Sequence, residues 1–240
     1  MKILITGASS GIGQATAYKF AQAKEDLILT YFKNKPGAKK TQQECLKLGA
    51  QSAEIFELDL SQEKNILDFT KKIIKQYKSI DILINNAGFL ATGKITDMNF
   101  SEIEQIMAVN LIGLIKLTSK LLPFIKNTII NIGSGLAYES KREFSVYCAS
   151  KHGVRGFTKS LAKEYPHLKI YLVNPGLVIT QMSGFKGVSA DKVAEIIFKA
   201  AKGQYKAKSG AHINFNDYRY GQKFVNLFIF LKKIKKIFKT

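Results

Sequence analysis

At 240 residues, with 46% hydrophobic content and four prolines, the chain is long enough to bury the core of one large α/β domain. Its formal net charge of +19 admits nucleic acid, an anionic membrane, or simply a lysine-rich surface. Only three of the 37 basic residues are arginine (Arg142, Arg155 and Arg219), which argues against base-edge reading, and no nucleic-acid motif accompanies them, so no nucleic-acid partner is expected.

The chain opens on M-K-I-L-I-T-G, a strand-like run with no apolar leader or cleavage site before it. No stretch holds eighteen consecutive apolar residues, so a spanning helix is not expected. Cys45 and Cys148 offer neither a disulfide framework nor a C-x-x-C spacing, and His152, His167 and His212 are too dispersed for a metal site. The expected compartment is the reducing cytoplasm.

Short apolar runs at 2–6, 27–32, 53–58, 80–85, 128–132, 168–173 and 211–215 read as strands. Helical-period segments lie between them, near 12–23, 38–48, 62–77, 101–122, 145–165 and 190–202. Near-continuous apolar strands separated by helices call for a sheet buried on both faces and joined by right-handed crossovers. The expected fold is a single doubly wound Rossmann-type α/β domain over 1–221. Its seven-stranded, mostly parallel sheet would carry helices on both faces.

Directly after the first strand comes T-G-A-S-S-G-I-G. Gly7, Gly11 and Gly13, with Ser9, Ser10 and Ile12 between them, allow a tight turn and close backbone approach. The unpaired N–H groups of the following helix would then face a pyrophosphate. The spacing G-x-x-x-G-x-G is not that of an NTPase loop. The second strand ends T-Y-F-K-N-K, with no acid to bond a ribose 2′-hydroxyl. Lys33 and Asn34 offer positive charge and donors there, which favours NADP and leaves NAD open.

The pattern Y-x-x-x-K occurs three times, at Tyr31/Lys35, Tyr147/Lys151 and Tyr165/Lys169, where chance gives about 1.4. Tyr31/Lys35 straddles a strand end followed by Pro36, and Tyr165 precedes Pro166, which ends a helix. Tyr147 and Lys151 alone fall within a helix, one turn apart on one face. Ser134 lies thirteen residues before Tyr147. A lysine beside a tyrosine favours the phenolate, and a serine hydroxyl can stabilise a developing alkoxide. Cys148 faces elsewhere and reads as a small packing residue.

From Met1 to about Thr180 the chain resembles the short-chain dehydrogenase/reductase family. The motifs that carry the resemblance run in family order: T-G-A-S-S-G-I-G, Asp59-Leu60, N-N-A-G at 85–88, Asn110, Ser134, Tyr147 with Lys151, and P-G-L-V-I-T at 175–180. The resemblance implies a nicotinamide-dependent oxidoreductase acting on a carbonyl or alcohol, with Asn110, Ser134, Tyr147 and Lys151 as its catalytic set. It also implies that Asp59 and Leu60 flank the adenine, and that Asn86, Ala87 and Gly88 support the cofactor. Pro175, Gly176, Val178 and Thr180 would complete the cofactor contacts, with Thr180 on the carboxamide. Asn110 would hold a water linking Lys151 to solvent. The alternative is a non-catalytic NADP(H)-binding sensor or interaction module, against which the complete set of four speaks.

Substrate choice is expected in Phe89-Leu90-Ala91, Leu136-Ala137-Tyr138, Phe144 and Met182 to Val188, whose apolar lean suggests a hydrophobic or lipid-like small molecule. The last 42 residues, 199–240, hold eleven basic residues against Asp217 alone. Within 222–240, Phe224, Leu227, Phe228, Leu231, Ile234 and Phe238 recur at helical spacing among Lys232, Lys233, Lys235, Lys236 and Lys239. Such a basic amphipathic tail suits the inner face of an anionic membrane, or packing on its own domain or on a second subunit of a homo-oligomer. The Gly-Gly turn that many family members carry near the subunit contact is absent from A-H-I-N-F-N-D-Y-R-Y-G.

Overall fold

A computed structural model describes residues 1–180, 184–185, 187–205 and 207–215. Strands β1 (Lys2–Ile5), β2 (Asp26–Tyr31), β3 (Ser52–Glu57), β4 (Ile80–Asn85), β5 (Ile125–Ile132), β6 (Lys169–Asn174) and β7 (His212–Asn214) form one sheet in the order β3-β2-β1-β4-β5-β6-β7. Every pairing is parallel. The chain leaves β1 toward β2 on one side and continues from β4 toward β5 on the other. Loops therefore diverge at the carboxyl ends of β1 and β4 and open a crevice there.

Successive strand residues point to opposite faces, and both faces are apolar because both are covered. Ile3, Ile5, Leu29, Ile82 and Ile84 pack with α1 (Gly11–Gln22), α2 (Lys35–Lys47) and α7 (Ala190–Ala201) through Phe20, Cys45, Val193 and Ile197. Leu4, Ile28, Leu83 and Ile129 pack on the other side against Ile66, Phe69 and Ile73 of α3 (Glu63–Tyr77). Leu117 and Leu121 of α5 (Leu114–Leu121) and Leu161 of α6 (Ser145–Glu164) complete that layer.

Two elements differ from the expected ones. The helix expected over 101–122 is divided into α4 (Phe100–Met107), a π-helical turn (Ala108–Gly113) and α5. Asn99 starts it with a capping box: its side chain accepts from the Glu102 amide while the Glu102 carboxylate accepts from the Asn99 amide. The run Phe100–Phe124 is long and apolar enough to cross a membrane. Here it lies on the sheet, with Ile106, Leu114, Leu117 and Leu121 buried. The second difference is β5, which begins at Ile125, earlier than its apolar run suggests, because Ile125 is buried while Lys126 and Asn127 face solvent. The tail at 222–240 lies outside the described residues.

Candidate active site

The carboxyl ends of β1 and β4 are laced together by one side chain from each. Thr6 Oγ1 accepts from the backbone N–H groups of Asn86 (2.9 Å) and Ala87 (3.0 Å). Asn86 Nδ2 donates back to the carbonyls of Thr6 (2.8 Å) and Gly7 (3.0 Å). Asn86, Ala87 and Gly88 therefore fix the glycine loop from the side. Gly7 has φ +66°, and a Cβ there would lie 2.9 Å from the Ala87 backbone, so no other residue fits without displacement. Ser9, Ser10, Ile12 and Gly13 follow, with Ser10 as the N-cap residue of α1 and no acid in its first turn. Gly11 lies beside Thr180: a Cβ there would be 3.0 Å from Thr180 Cγ2, so the first and last motifs meet. Pro175 and Gly176 lead from β6 into that segment, and Val178 is buried and bridged to Val188.

At the end of β2, Lys33 and Asn34 stand as expected on the same edge. The Asn34 side-chain oxygen accepts from Gly37 N (3.0 Å) and caps α2, which engages its acceptor and not its amide donor. The ammonium of Lys33 lies 5.2 Å from the Phe32 ring centroid. The side chains of Asp59 and Leu60 also have structural tasks of their own. Asp59 Oδ1 accepts from the amide (2.9 Å) and hydroxyl (2.7 Å) of Ser61, and Leu60 is buried in the core beneath α5.

Tyr147 and Lys151 share one face of α6, as the four-residue spacing requires. The Lys151 ammonium lies 5.7 Å from the Tyr147 ring centroid and donates to the Ile132 carbonyl at the end of β5 (3.0 Å). Lys151 is buried, and burial pushes its pKa down to about 8. Burial raises the Tyr147 phenol above its ordinary value, while the hydrogen bond from Ser134 acts in the opposite direction. The Lys151 ammonium itself is turned to the Ile132 carbonyl. Ser134 caps a 3-10 turn (Gly135–Ala137) and its Oγ accepts from Leu136 N (3.2 Å).

Asn110 sits in the π-helical turn, and its side chain brackets one residue of the loop after β4. Its Oδ1 accepts from Phe89 N (2.7 Å), and its Nδ2 donates to Phe89 O (2.8 Å) and to Ser150 Oγ (3.3 Å). Ser150 Oγ in turn donates to the Tyr147 carbonyl (2.7 Å). The side chain thus joins the loop to α6, one residue from Lys151, whose ammonium donates instead to Ile132. A π-helical turn of this kind is common at functional sites because it re-aims one side chain.

This arrangement coincides with a family match: residues 1–189 match the short chain dehydrogenase family. The chain belongs to that family. The dehydrogenase is 35% identical over 209 residues to an NADP-dependent 3-hydroxy acid dehydrogenase of Schizosaccharomyces pombe, covering 82% of this chain and 79% of the relative. It is 36% identical over 166 residues to estradiol 17-beta-dehydrogenase 11 of Mus musculus, covering 68% of this chain and 55% of that one. Its fold superposes on a blue fluorescent protein from a metagenomic library, solved with NADPH, with a TM-score of 0.81 and 26% identity over 89% of this chain and 95% of that one.

Of the residues expected to govern substrate choice, Phe89 and Ala91 pack with Met98, Ile106 and Val146, and Phe144 meets Tyr147 edge-on at 6.4 Å. Within 182–188 Phe185 is exposed, as are Leu177 and Ile179 just before that stretch, and Met182 lies outside the described residues. Sequence reading missed Ser150 and Asn131, and gave no separate role to Thr6 and Asn85 inside their motifs. Asn85 Nδ2 donates to Asn131 Oδ1 (2.8 Å) and Thr118 Oγ1 (3.0 Å), and Asn131 Nδ2 donates to Thr158 Oγ1 (2.9 Å). This ladder pins α5 and α6 to the central strands. The signal was an asparagine near the carboxyl end of successive apolar runs: Asn85, Asn131, Asn174 and Asn214.

Proposed function

We propose that this dehydrogenase uses NADP(H) to interconvert a carbonyl compound and its alcohol, with Tyr147 as the general acid and base. The observation that carries the reading is the Ser134–Tyr147–Lys151 constellation, half-buried at its two hydroxyl residues and buried at the lysine, on the sheet edge that also bears the glycine loop. The residues present suit the cofactor: Gly7 leaves backbone room, the start of α1 offers N–H groups, and no acid opposes a 2′-phosphate near Lys33 and Asn34. The names of the yeast relative and of the NADPH-bound structure support the same preference.

When bound, the nicotinamide supplies or accepts the hydride. Tyr147 gives its proton to the carbonyl oxygen, a step favoured by a phenol that burial holds protonated. The Ser134 hydroxyl bonds the same oxygen as negative charge develops. Lys151, poised near neutrality, steadies the phenolate that remains. Exposed Leu177, Ile179 and Phe185 support a substrate with an apolar portion. Residues 222–240 support a cytoplasmic enzyme that works against the inner face of an anionic membrane.

The test is NADPH consumption against carbonyl compounds graded in chain length, with NADH in parallel. Turnover that rises with chain length and favours NADPH is expected. A wild type that binds NADPH and consumes none across the panel would favour a non-catalytic NADP(H) sensor.

A further inference from the structure

We propose that Asn174 is a positioning residue for Ser134, held in turn by Asn214; this rests on the active-site reading above. Asn174 is the last residue of β6 and directly precedes Pro175, with Asn214 beside it in register on β7. Its side chain is 2% exposed and crosses to the strand on the other side. There its Oδ1 accepts from the backbone N–H of Ser134 (3.0 Å), the residue whose hydroxyl meets Tyr147. Its Nδ2 donates to Asn214 Oδ1 (2.8 Å) and lies 3.5 Å from the Tyr138 hydroxyl.

The orientation of the amide is forced. Rotating it by half a turn would set its NH2 against the Ser134 N–H and its oxygen against Asn214 Oδ1, losing both bonds. The approach also depends on Gly133, where a Cβ would fall 2.2 Å from Asn174 Oδ1. Tyr138, at the far end of the same turn, has Arg155 over its ring at 4.2 Å and His212 edge-on at 5.5 Å. The segment from Ser134 to Tyr138 is therefore clamped at both ends, by Asn174 at its first amide and by α6 and β7 at its last ring.

The catalytic consequence lies in direction. Leu136 N occupies one acceptor site of Ser134 Oγ, and Asn174 fixes the backbone that carries it. Together they restrict where the serine hydroxyl points, toward the phenol and the oxygen that phenol protonates. Asn174 touches neither substrate nor cofactor in this scheme, so its effect must pass through Ser134.

A double-mutant cycle on the full chain separates this from a merely structural role. Turnover with NADPH and NADPH affinity by fluorescence are measured for wild type, Ser134→Ala, Asn174→Ala, the double variant and Tyr147→Phe. Asn174→Ala is expected to lower kcat by about 10- to 100-fold, the range for misplacing a catalytic group, with NADPH affinity unchanged. In the Ser134→Ala background the same change should alter kcat by less than about twofold, because the group it positions is already gone. Asn214→Ala should give a smaller loss with the same dependence on Ser134, and it reads the same relay should Asn174→Ala fail to fold. Wild-type turnover in Asn174→Ala, or an equal fold-loss with and without Ser134, overturns the proposal. Wild-type turnover in Tyr147→Phe would instead overturn the active-site reading itself.

Discussion

Replacing Lys151 by methionine should abolish turnover and, in the same molecule, remove a pH-dependent instability. Burial depresses the Lys151 pKa from 10.5 to about 8. A depression of that size corresponds to about 3 kcal/mol against the charged folded state at neutral pH. Methionine removes that penalty but leaves the Ile132 carbonyl without its donor, which costs about 1–3 kcal/mol. The two nearly cancel near pH 7, so the net change there is small. The pH dependence does not cancel. Below pH 8 the lysine is protonated folded and unfolded, and the full penalty is present. Between 8 and 10.5 the unfolded chain holds the extra proton, so wild-type stability from this group rises with pH. Urea denaturation at pH 7 and pH 10 should show wild type gaining on Lys151→Met by about 2–3 kcal/mol. A difference between the two proteins that stays flat over this range refutes the buried-lysine account.

Tyr147→Phe should reduce kcat by at least about 100-fold while NADPH quenching or fluorescence shows unchanged affinity, since only the proton is lost. Gly7→Ala should cost about 1–2 kcal/mol through its left-handed backbone and weaken NADPH binding through its contact with Ala87; titration calorimetry and melting curves check both. Asn131→Ala breaks the ladder between Asn85 and Thr158 and should destabilise by about 1–3 kcal/mol in chemical denaturation. A chain stopped at Gly221 should lose co-sedimentation with anionic liposomes that the full chain shows at low salt; equal binding of both chains at low and high salt would remove the membrane from the proposal.

The glycine loop, the N-N-A-G turn and the Tyr147/Lys151 pair were legible because each needs particular residues close together in sequence. A tight turn demands Gly7, and one helical turn sets Lys151 beside Tyr147. Element type was legible for the same reason, through apolar period. The rejection of the two decoy pairs also holds: Lys35 begins α2 after β2 has ended, and Tyr165 stands just past the end of α6.

What needed the tertiary structure depends on register between distant strands. Asn174 reads as one polar residue in an apolar run until β6 lies beside β5 and its oxygen meets the Ser134 amide. Asn110 reads as the holder of a water for Lys151; that its side chain also brackets Phe89 follows only from the meeting of a π-helical turn with the loop after β4. Asp59 and Leu60 belong to a motif, but packing beneath α5 and a serine turn decide where their side chains go. Burial itself is the last such quantity. The sequence alone places a lysine next to a tyrosine, and only the surrounding core settles that the ammonium is held near neutrality and the phenol above its usual pKa.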